Sequence, residues 1–111
     1  MNISDEKTMQ LLSILLSGSK ESSQGKFWKV GKTYLIRTVT MIYIGDLKEI
    51  INDQELVLKD CAWIPETSRW NEFLNGKKPN EMEPYPNDVL IGRGAILDVT
   101  EYKEKIKREV I

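Results

Sequence analysis

Between Lys26 and Ile64 the sequence KFWKVGKTYLIRTVTMIYIGDLKEIINDQELVLKDCAWI is dense in β-branched and aromatic side chains. Apolar and polar residues alternate through Ile36-Arg37-Thr38-Val39-Thr40-Met41 and again through Leu56-Val57-Leu58-Lys59, with turn residues at Gly31-Lys32 and Asn52-Asp53. A two-residue period places alternate side chains on opposite faces of a strand and cannot form a helical stripe, so three or four antiparallel strands are expected here. Gly45 interrupts an otherwise continuous strand pattern. Glycine at such a point marks the place where a long strand bends hard in a small barrel.

Around this β segment the pattern is helical or irregular. Ser4 is placed to cap a helix with Asp5 and Glu6 in its first turn and Met9, Leu12 and Leu16 along one face. A serine-rich run to Gly25 follows, so residues 1–25 read as an N-terminal helix and a flexible linker. In the segment 65–88, ETSRWNEFLNG reads as a short helix capped by Thr67 or Ser68, with Trp70, Phe73 and Leu74 inward and Gly76 at its end. EMEPYPND after it reads as a loop. The chain returns to a β pattern at VLIGRGAILDV and finishes with Tyr102, Ile106 and Val110 four residues apart, like one face of a helix.

At 111 residues the chain has room for one modest core. Sixteen basic side chains balance 17 acidic ones for a net charge of −1, which gives no general attraction to a polyanion, so duplex DNA is not an expected partner. The lone cysteine, Cys61, precludes an intrachain disulfide and suits a reducing cytoplasm. The apolar stretch Leu11 to Leu16 follows acidic residues and contains Ser13, so neither a signal peptide nor a membrane span is expected. Histidine is absent, and Glu81 and Glu83 have no nucleophile or metal cluster beside them. The expectation is a cytoplasmic, non-enzymatic protein without a metal or cofactor.

In order, the pattern is a helix, bent antiparallel strands, an insertion and a final strand pair around Arg-Gly. From Gly45 onward, Gly45, Leu47, Ile50, Leu56, Leu58 and Asp60 resemble the first sequence motif of the Sm-like (Lsm) small β-barrel family, and LIGRGAILDV resembles the second. The resemblance implies a mainly β fold: a small, strongly bent antiparallel Sm/SH3-like barrel over residues 26–111, with the 65–88 insertion and a C-terminal tail. It implies a homo-oligomeric ring built by edge-strand pairing, binding a nucleotide or short single-stranded RNA. A looser likeness, to small bacteriophage-type proteins, is carried by Ile36 to Thr40, Ala62-Trp63 and Arg93-Gly94. It implies a phage or prophage origin but no activity; with that origin the place of action would be the host cytoplasm, and sequestering a host nucleotide signal would be one use of such a ring.

The candidate ligand-binding residues are Arg93 with its flanking Gly92 and Gly94, Arg37, and Trp28. A guanidinium fork suits phosphate or a base edge, and bare glycine backbone lets a ligand approach. The other reading of Arg93 is a β-bulge whose arginine pairs with an acid across a subunit interface. Arg37 faces either solvent and a salt bridge or a pocket. Trp28, among Lys26, Lys29 and Lys32, is either a basic-aromatic platform or a staple on the barrel. Trp63 reads as core, and the terminal KEKIKR as solvated helix surface. The alternative function is an adaptor that binds another protein.

Overall fold

A computed structural model describes residues 27–111. The expected N-terminal helix lies outside the described residues. Six antiparallel strands form one sheet: β1 (Thr33–Thr38), β2 (Ile42–Ile50), β3 (Glu55–Glu66), β4 (Glu81–Pro84), β5 (Val89–Gly92) and β6 (Ile96–Glu101). The order is β4-β3-β2-β1-β6, with β5 also on β3. The protein is therefore mainly β. Among the described residues the sheet is not closed into a barrel, which corrects the barrel expected from the sequence.

The twelve-residue β3 organises the molecule. Its first residues pair with β5, Glu55 opposite Gly92 through Leu58 opposite Val89, while Ala62 and Trp63 pair with Pro84 and Glu83 of β4. Between these halves Asp60 adopts φ 50°, and the register against β2 shifts between Ile44 and Asp46. This is an extra residue in β3 opposite Gly45, a bulge that bends the strand. Gly45 is indeed at the bend: a Cβ there would lie 3.1 Å from Leu58 Cβ and 3.2 Å from Cys61 Cα.

Each face of the sheet buries its own core. On one face Leu35, Ile44, Ala62, Ile64 and Met82 pack with Phe73, Tyr102 and Ile106. On the other, Tyr34, Ile36, Leu47, Leu56, Leu58, Cys61 and Ile91 pack together. Because β1 contributes to both, Tyr34, Leu35 and Ile36 are all buried in succession. A strand covered on both sides loses the alternation that a half-exposed strand keeps.

Helix α1 (Trp70–Leu74) lies within the expected insertion but is shorter than the sequence pattern implied. Its N-cap is Arg69, with no side-chain cap, and Gly76 closes it at φ 104°. Phe73 is buried as expected, whereas Trp70 is exposed. Trp63, expected in the core, is half-buried on β3. The EMEP segment, read as a loop, is strand β4.

The expected C-terminal helix is absent; beyond β6 the chain is an irregular strap. Tyr102 N donates to Thr33 O at 2.8 Å, and the Tyr102 hydroxyl donates to the Phe73 carbonyl. Ile106 then enters the first core, and Arg108 reaches Asp46 at 2.6 Å and Asp60 at 3.4 Å. Finally Ile111 and Met82 exchange backbone hydrogen bonds of 3.0 and 3.3 Å. The strap thus runs from the β6 edge to the β4 edge and covers the first core. Tyr102 and Ile106 both enter the first core although the strap is not helical, and Val110, the next residue in that series, is exposed.

Candidate ligand-binding site

The Gly92-Arg93-Gly94 segment does not continue a strand as its sequence suggests. β5 ends at Gly92 and a single 3-10 turn, Arg93–Ala95, carries the chain into β6. Arg93 N donates to Gln54 O at 2.8 Å, which extends the β3–β5 ladder by one bond. Arg93 Nη1 donates to Asn52 O at 3.0 Å. The acceptor loop is itself held by a local turn, Gln54 N donating to Asn52 Oδ1 at 2.7 Å. Asn and Asp side chains commonly build such turns by bonding the backbone two residues on.

The Arg93 guanidinium lies over the Trp28 indole, 5.8 Å from its centroid. Trp28 is fixed by Phe27, perpendicular at 5.3 Å, and by Tyr34 at 4.9 Å. The Tyr34 hydroxyl clamps the segment, accepting from Lys29 N and donating to Phe27 O, both at 2.7 Å. Burial also raises the Tyr34 pKa above its ordinary value, so the phenol stays a donor further into alkaline pH. A cation held over an aromatic face loses little entropy when it meets a ligand, because its position is already set.

Gly92 and Gly94 are set apart by what they lack. Neither has positive φ, and a Cβ built on either meets nothing within 4 Å among the described residues. Neither backbone conformation nor internal packing therefore calls for glycine. Together with Arg93, Asp53, Gln54 and Glu55 they line an open cleft.

The structure brings Trp28, Gly92, Arg93 and Gly94 together but places Arg37 elsewhere. Arg37 meets its register partner Asp98 on β6 through Nε to Oδ1 at 2.8 Å and a second contact from Nη2 to Oδ2, and it covers Trp70 at 5.9 Å. That hydrogen bond holds the Asp98 carboxyl below its ordinary range. Of the two residues that seat Arg93, Asn52 is visible in the sequence only as part of the Asn52-Asp53 turn, and Gln54 carries no signal. No sequence spacing shows that β3 pairs with β5. Lysines 103, 105 and 107, expected on a helix, instead line a groove between the strap and the Lys29–Thr33 turn. Among the described residues no cluster of three or more acidic or cysteine side chains is arranged to hold a metal, and no helix is long and apolar enough to cross a membrane.

No protein-family model matches the chain, and no curated protein matches it in sequence.

Proposed function

We propose that this protein is a non-enzymatic module that binds a nucleotide or short single-stranded RNA at Arg93 and assembles as a homo-oligomer through its β5 and β6 edges. The observation that carries the reading is the pair of glycines around an arginine stacked on tryptophan. Glycine there is unneeded by the fold, so it leaves backbone open for a group from outside the described residues. One guanidinium Nη is committed to Asn52 O, which aims the side chain without exhausting its five donors. A base can stack on such an aromatic-cation platform regardless of its identity.

Titration of nucleotides and short RNA against the thermal melt tests this, since a ligand of the native state raises the midpoint. Arg93→Ala should weaken binding by about 1.5–3 kcal/mol, the range for a charged hydrogen bond, and leave the oligomer intact. Arg93→Lys should restore only part, lacking the planar fork. If the alanine variant dissociates and neither protein binds nucleotide, Arg93 serves an interface instead.

A second reading, the adaptor, is favoured by one specific observation. Leu90 on β5 is 54% exposed and Leu97 on β6 is 61% exposed, on strands that among the described residues each pair on one side only. Unpaired edges with apolar side chains suit pairing with another chain. A binding partner captured through Leu90 and Leu97, with no nucleotide effect on the melt, would support that reading over the first.

A further inference from the structure

We infer that the ligand is a single-stranded RNA rather than a lone nucleotide, its phosphates following a lysine groove that begins at Lys29, the residue after Trp28, and runs between the Lys29–Thr33 turn and the C-terminal strap. This rests on the proposed binding of a base at Arg93 and Trp28. The groove has a volume of about 860 Å³ and is lined by Lys29, Lys32, Lys103, Lys105, Lys107 and Arg108.

Of the three carboxylates on its walls, Asp46 is engaged. Asp46 accepts from the Thr33 hydroxyl at 2.7 Å and from Arg108 at 2.6 Å. A Glu104 carboxylate oxygen lies at the Gly76 turn, 3.1 Å from where a Cβ on that glycine would stand. Arg108 is occupied by Asp46 and Asp60, and Lys107 lies 3.8 Å from Glu109. Among the described residues Lys29, Lys32, Lys103 and Lys105 have no ion-pair partner, four cations against the two wall carboxylates Glu101 and Glu104 that have none either. In a chain whose net charge is −1, this is a concentrated cationic strip.

The strip and the platform are joined through the chain at Lys29. Trp28, under Arg93, immediately precedes Lys29, the groove residue nearest to it in the chain. A stacking face followed by a groove that tracks a backbone is the arrangement by which proteins hold single strands. A mononucleotide would engage the first part alone and leave four lysines unused.

The test is fluorescence anisotropy with a labelled oligouridylate of about eight nucleotides and, in parallel, uridine monophosphate, over a potassium chloride series. Four phosphate contacts predict a slope of log affinity against log salt of about −3 for the oligonucleotide. Lys103→Ala/Lys105→Ala should make that slope shallower by about 1.4 and weaken the oligonucleotide roughly tenfold. The same variant should leave uridine monophosphate affinity unchanged. Arg93→Ala should lower affinity for both ligands while keeping the salt slope. An unchanged slope in the double lysine variant overturns the groove and leaves the Arg93 site standing. Failure of the wild-type protein to bind either ligand overturns both.

Discussion

The glycines separate into those the fold requires and those it does not. At Gly45 an added methyl would press on Leu58 and on the Cys61 backbone, where β3 itself passes. Gly45→Ala should therefore cost about 1–3 kcal/mol, the range for overpacking a tight site, read as a lower urea midpoint. Gly92→Ala meets open space and ordinary φ, so its stability should stay within about 1 kcal/mol of wild type or rise slightly through a less flexible unfolded chain. Its expected effect is on ligand affinity alone. An equal loss of stability in both variants would mean that Gly92 is structural. Position 45 was legible from the sequence as a bend. The arginine between glycines was legible as a special site, but its 3-10 turn and its seat on Asn52 depend on the β3–β5 pairing, which no local pattern announces.

At the scale of elements, the strap is where the sequence pattern misled. Tyr102 and Ile106 satisfy a helical period, yet they enter the first core from an irregular strap, Tyr102 against Phe73, and the intervening lysines line the groove. β4 was hidden for a different reason: prolines at 84 and 86 signal a loop, but Pro84 closes a four-residue strand and costs no interior ladder bond. The strap should be energetically coupled to the bend through Arg108. Its side chain is only 12% exposed and joins Asp46 of β2 to Asp60 of the β3 bulge. A double-mutant cycle of Arg108→Met and Asp46→Asn should give a coupling of about 0.5–3 kcal/mol by chemical denaturation. Strict additivity would show that the tail rests on the sheet without tying it. Tyr102→Phe, which removes the hydroxyl on the Phe73 carbonyl, should cost about 1 kcal/mol.

For the whole molecule, the two cores make it sensitive to alkali. Burial pushes the Cys61 thiol up to about 12, and it raises the Tyr34, Tyr43 and Tyr102 phenols above their ordinary values. Each group holds its proton longer when folded than when unfolded, so the unfolded chain binds fewer protons in that range. Stability should therefore fall as pH rises above about 9, at no more than about 1.4 kcal/mol per pH unit for the thiol alone. Cys61→Ala should flatten this decline, and native Cys61 should resist thiol reagents until the protein unfolds. An unchanged pH profile in that variant would contradict the assignment. The proposed assembly belongs to this scale as well, and light scattering on the described chain at tens of micromolar should give a mass above that of one copy. The sheet order carries a kinetic consequence. β1 to β3 join neighbours in sequence, but β1 cannot acquire its second neighbour until β6 arrives, with Tyr34 opposite Glu101. Ordering that much chain before the pairing is rewarded raises the entropic barrier, so refolding should occupy milliseconds to seconds rather than microseconds. During that wait β1 has an open hydrogen-bonding edge, and a second molecule's β6 can fill it: refolding at high concentration should trap strand-exchanged dimers that dilution during refolding avoids.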